Sequence, residues 1–316
     1  MANIATGSNA QFGYVVESTA GTTPATPAFN QFGVNDFSLQ MTKDTFTDPS
    51  IQSDRQTHFF KHGNKKIGGN IAVTLLGVGA TPTGNTLYDP WFESVLNASW
   101  VSNVLKVGNT VKNFTVEKVL QTPDNVKHYF RFKGVQATSL SVEVALNAPV
   151  KATFGFMGLA EDAVATTAIT GATYVAQPSA PSPLVHINAN NLFKEGGAAS
   201  SLMTAFSFSI NNESDANFAL GSPTAQSITS STAKITGSAT YYFSDATMYN
   251  KFVNETSSSL EVKLSDGTRS YTFLFPKVVY GAANNIVNNE NAIVLTMPFT
   301  AVYDDTTATT IQITRA

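Results

Sequence analysis

The chain has no cysteine among its 316 residues, which removes disulfides, thiolate metal sites and cysteine nucleophiles from consideration. Charge is almost as scarce. Asp, Glu, Lys and Arg make up 13% of the sequence, about half the ordinary share, and the net charge is -3. A surface so short of charge has little to keep copies apart, which predicts that much of it is buried against other subunits. The same balance gives no general electrostatic footprint for nucleic acid. The halves differ mildly, with 12 Lys and Arg against 10 Asp and Glu in residues 1–160, and 7 against 12 in residues 161–316. No stretch approaches the ~18 uninterrupted apolar residues of a membrane span, and "MANIATGSNAQFG" has no basic region followed by an apolar run. The expectation is a soluble, non-exported protein with no membrane partner.

Only four histidines are present, His58, His62, His128 and His186, and none stands in a nucleophile-elbow context. His58 and His62 in "HFFKH" are four apart, a spacing that can hold a metal on one helix face. They fall instead in a polar loop with no carboxylate partner read nearby, so solvated or interface histidines are expected. The stretch "GATPTGNT", Gly79 to Thr86, has the glycine spacing of a phosphate-binding loop but puts Asn85 where the lysine belongs. Asn85 cannot supply the charge that contacts the phosphates, so a surface turn with Asn85 or Thr86 capping the next helix is the simpler reading. Asp304 and Asp305 precede a Thr-rich turn and most simply end a strand. No enzyme activity, cofactor or metal is expected.

What the chain does have is strand signal. "SYTFLFPKVVY" places Tyr271, Phe273 and Phe275 on one face, and "KATFGFMG" does the same with Phe154 and Phe156. Helical patterns are confined to 85–98 and 245–255. Residues 160–184 are rich in Ala, Thr, Pro and Ser, with three prolines in six residues, and read as a linker. Either side of it the sequence repeats itself. "FSLQM" from Phe37 matches "FSFSI" from Phe206, "KIGG" from Lys66 matches "KITG" from Lys234, and Leu87, Tyr88, Trp91 and Phe92 match Met248, Tyr249, Phe252 and Val253. Further on, Phe130, Phe132, Val135, Thr153 and Phe156 fall on Phe273, Phe275, Val278, Thr296 and Phe299 at a constant offset of 143 residues. The expected fold is mainly β: two tandem β-sandwich or barrel domains, 1–159 and 185–316, each with a short flanking α-helix and joined by the linker 160–184.

The segment 44–66, "DTFTDPSIQSDRQTHFFKHGNKK", reads as a long polar loop that mixes aromatic with basic side chains. Such a mixture can stack on and neutralise single-stranded nucleic acid, but three aspartates dilute that reading. A loop longer than about 12–15 residues in a compact domain tends to be functional. Apolar residues on it point to docking on another subunit, with Asp54, Arg55, His58, Phe59, Phe60, Lys61, His62 and Lys65 as the contact candidates.

Taken together and in order, "YVVESTAGTTPATPAF", "SDRQTHFFKHGNKKIGGNI", "FKGVQATSLSVEVALNAPVKATFGFMG", "FSFSINN" and "MPFTAVYD" resemble the tail tube proteins of long-tailed bacteriophages over nearly the whole chain. The "GVGATPTG" insertion departs from that pattern. The resemblance implies a structural virion subunit, assembled in the host cytoplasm into rings that stack into a hollow tail tube. It also implies homo-oligomerisation, with tail terminator, tape measure and distal tail proteins as further partners and passage of DNA without specific binding. Two units per chain predict a trimeric ring of pseudo-sixfold form, with a hexamer as the alternative. Other readings of the residues are another non-enzymatic virion or secretion-tube component, or an adhesin or carbohydrate-binding pair displaying Phe59, Phe60 and Trp91.

Overall fold

The computed structural model describes residues 4–51, 53–77, 87–177, 182–185, 193–200, 202–286 and 292–316. Strands dominate, with two short α-helices among the described residues, Asp89–Leu96 and Thr247–Val253. The fold is mainly β, and its sheets stay open rather than closing into a barrel. Both helices are shorter than their sequence patterns. Pro90 sits in the first turn of Asp89–Leu96, and Asn97 turns into the left-handed region at φ 48° to end it. The expected caps Asn85 and Thr86, together with most of the "GVGATPTG" insertion, lie outside the described residues.

Aromatic packing organises the core. Trp91, which an adhesin would display, is fully buried, with the rings of Phe32, Phe154, Phe156 and Tyr14 centred 4.9, 5.1, 5.2 and 5.4 Å away. In the second half Phe206, Phe208, Phe273, Phe275 and Phe299 make a second aromatic cluster. The alternation read in "SYTFLFPKVVY" and "KATFGFMG" is the burial pattern of strands Ser270–Tyr280 and Lys151–Gly158.

The sequence repeat reappears as a repeat of strand register. Met41 faces Ile67 and its counterpart Ile210 faces Ile235. Gly69 faces Phe156 and Gly237 faces Phe299. A Cβ on Gly69 would collide with the Ser38 carbonyl, and one on Gly237 with the carbonyl of Ser207, the residue that matches Ser38. Even an irregularity is copied: strand Asn113–Gln121 slips against Lys127–Ala145 between Phe114 and Val116, and Ser258–Ser265 slips against Ser270–Tyr280 between Ser258 and Leu260.

The described residues of 160–184 are less free than a proline-rich linker predicts. Thr173–Val175 runs parallel to Ala28–Gln31, Ala160–Glu161 pairs with Lys127–Ala145, and fully buried Leu184 donates its N–H to the Leu75 carbonyl at 2.8 Å. Proline removes only its own donor, so described residues of this segment such as Thr173 and Leu184 still pair with the first unit.

Candidate assembly interface

Eight strands form one unbroken run across both halves. In order they are Gln40–Thr47, Phe60–Thr74, Lys151–Gly158, Lys127–Ala145, Met203–Asn211, Lys234–Tyr242, Val294–Ala301 and Asn284–Ile286. One face carries the apolar side chains of the core, such as Ile71, Phe154, Val142, Phe208, Ala239 and Met297. The other carries Asn70, Thr153, Ser141, Ser209, Thr236, Ser238 and Thr296, several of them hydrogen-bonded to one another, as Ser209 to Thr236 at 3.1 Å and Thr240 to Thr296 at 3.2 Å. Its charges at the centre cancel, because Lys151 faces Glu143 across the ladder. This is a hydroxyl-rich surface with little net charge. The signal was present in the alternation of "SLSVEVA" and "AFSFSI", where every second residue is Ser, Glu or Ala.

The segment 44–66 is a projecting hairpin more than a loop. Strands Gln40–Thr47 and Phe60–Thr74 continue pairing through Phe46 with Lys61 and Thr47 with Phe60, leaving 48–59 as the connection. Both faces of this extension meet solvent, so it lacks the alternation by which a strand is recognised. Of the eight candidates, Phe60, Lys61 and His62 lie on the second strand, Asp54, Arg55, His58 and Phe59 lie on the connection, and Lys65 sits at the base. His58 does have a carboxylate partner: its Nε2 lies 3.0 Å from Asp54 Oδ1. His62 packs edge-on against Phe60 with centroids 5.2 Å apart. Phe46, Ile51, Phe59 and Phe60 are all exposed. Lys65 donates its N–H to the Pro223 carbonyl at 2.7 Å, tying the base of the hairpin to the second half. Within itself the matching segment 211–233 makes the small ladder Asp215–Asn217 with Ser227–Thr229.

A partly covered aromatic face lies beside the outer edge of the run. Phe12 stacks on Phe37 at 4.7 Å, and the Lys118 ammonium sits over Phe130 at 5.0 Å and Phe37 at 5.5 Å. Burial lowers the Lys118 pKa, opposed by the Glu161 charge. Elsewhere the buried acids are fully engaged. Glu17 accepts from Thr115 Oγ1 and the Gly21 N–H, both at 2.7 Å, and Glu117 accepts from Arg131 Nε at 2.7 Å. Among the described residues no three His, Asp or Glu side chains are grouped to hold a metal ion. No helix among them is long and apolar enough to cross a membrane. The arrangement offers surfaces for assembly.

A family model described as phage tail tube protein matches residues 7–301. A search of curated proteins finds no match.

Proposed function

The chain belongs to the phage tail tube protein family, a structural component of the virion tail, and we propose that three copies close into a ring whose stacks form the conduit for the genome. The observation that carries this reading is the eight-strand run with one apolar face and one Ser/Thr/Asn face. Set around an axis, the hydroxyl face lines a lumen. A lumen that passes a polyanion must not hold it, since Lys and Arg contacts bind phosphate by releasing counterions. The Lys151 and Glu143 pairing keeps that face close to neutral.

Three chains follow from the duplication. The units 1–159 and 185–316, joined through 160–184, share register down to a slipped pair and a crowded glycine, so each serves as one tube domain. Three chains then supply six. Tethering the two units makes every second contact intramolecular, at an effective concentration of roughly millimolar. The projecting hairpin reaches from one ring to the next and presents Phe59 and Phe60 with Arg55 and Lys61. Tail terminator, tape measure and distal tail proteins meet the tube at its ends and in its bore, and assembly takes place in the host cytoplasm.

Electron microscopy of the purified chain, with symmetry averaging of end-on views, tests the stoichiometry. Three copies per ring are expected, and six copies of the whole chain would overturn this reading. In parallel, deleting residues 52–62 should leave rings and the circular dichroism spectrum intact while abolishing stacking. Unchanged tubes would remove the hairpin from the ring-to-ring contact.

A further inference from the structure

Among the described residues the run of eight strands ends in two edges, and these edges are the counterparts of the two strands joined at its centre. Asn284, Asn285 and Ile286 face Thr296, Leu295 and Val294, just as Ser141, Val142 and Glu143 face Thr153, Ala152 and Lys151, 143 residues earlier. At the centre, the other side of this strand is laddered: Ser141 faces Ser209, Val142 faces Phe208 and Glu143 faces Ser207. The residues that match Ser207, Phe208 and Ser209 are Ser38, Leu39 and Gln40, on the opposite outer edge of the same run. Resting on the ring reading above, we infer that one chain's edge 282–286 ladders with the next chain's edge 38–42 in that copied register, Asn284 to Gln40, Asn285 to Leu39 and Ile286 to Ser38.

A second, independent observation points to the same partner. Helix Asp89–Leu96 is covered by the second unit, with Phe92 centred 5.1 Å from Tyr271 and 6.1 Å from Phe273. Its counterpart Thr247–Val253 has no fully buried residue, and Val253, which matches Phe92, is 56% exposed. The surfaces that match Tyr271 and Phe273 are His128 and Phe130, and these are only half-buried whereas Tyr271 and Phe273 are at 3% and 0%. The exposed side of this helix in one copy therefore seats on the half-buried Phe130 face of the next. One end of the molecule lacks what the other end carries, so a second copy of this chain is the occupant.

The two joints are unequal. Inside the chain the joint has buried Val142, Phe92, and a strap in which strand Gln312–Arg315 pairs with Val104–Lys106 and Arg315 forms an ion pair with Asp89. Between chains the matching positions are Asn285 and Val253. The ring opens at the inter-chain joint.

The absence of cysteine makes cross-linking clean. A Gln40→Cys/Asn284→Cys chain, oxidised after assembly, should run as one reducible species of three chains. An Asp44→Cys/Asn284→Cys chain, four residues out of register, should not cross-link. Rings that form without the in-register link, or that link only through Asp44→Cys, would overturn the joint while leaving the ring. A covalent species of six chains would support the joint and overturn three-chain closure. Hydrogen exchange on the unmodified protein covers the case in which the variants do not fold. Amides of 38–42 and 282–286 should slow by about tenfold or more on ring formation, and unchanged rates would overturn the joint.

Discussion

At the scale of the residue, buried tyrosine hydroxyls tie the fold to alkaline pH. Tyr14 donates to the Leu87 carbonyl at 2.8 Å and Tyr88 to the Thr74 carbonyl at 3.0 Å, both from inside the first core. Tyr280 lies in the second half with its hydroxyl 3.3 Å from Glu195 Oε1. Burial, the largest cause in each case, raises the pKa of these three phenols and of Tyr174 and Tyr241 above the ordinary 10.0. The folded chain therefore holds protons that the unfolded chain releases above about pH 10. Their stabilisation is complete below that pH and is lost as pH rises beyond it. Alkaline titration should show tyrosinate absorbance from these residues appearing together with loss of the circular dichroism signal. Smooth ionisation of all ten tyrosines near pH 10, with the fold intact, would contradict the burial argument.

At the scale of the element, glycines report on the duplication. Gly69, at φ 148°, and Gly237 occupy one position of the same strand pairing and face Phe156 and Phe299. Gly69→Ala and Gly237→Ala should each destabilise by about 1–3 kcal/mol, because the new methyl meets backbone at Gly69 and both the Ser207 carbonyl and the packed Phe299 ring at Gly237. Urea unfolding checks this, and a neutral result at either site would break the equivalence of the units. Much of this layer was legible in the sequence. Buried strands such as Lys151–Gly158 declare themselves by period two, and the matched Phe and Gly positions disclosed the repeat because core positions tolerate little change. Strand Gln40–Thr47 beyond Met41 was hidden because it is solvated on both faces, so Thr45 and Phe46 carry no alternation. The tie between Asp54 and His58 depends on how the connection folds back, which local spacing does not encode. The free edges were equally invisible, since an edge is defined by the strand that is missing beside it.

At the scale of the whole molecule, the two units are bound more tightly than a linker between domains would require. They share a seven-residue ladder from Ala205 with Ala145 to Asn211 with Ser139, and one continuous core contains Trp91 and Phe273 alike. Calorimetry should record a single unfolding transition, and two resolved transitions would show that the halves hold together only weakly. The long hairpin, by contrast, belongs to the first unit alone, and this gives the proposed tube a property of rotation. A ring of three chains carries three such pegs although its wall has six near-equal domains. A ring arriving on the stack can therefore seat in three orientations and is refused in the three between, so the angular phase of the tube is set at its first ring and inherited along its length.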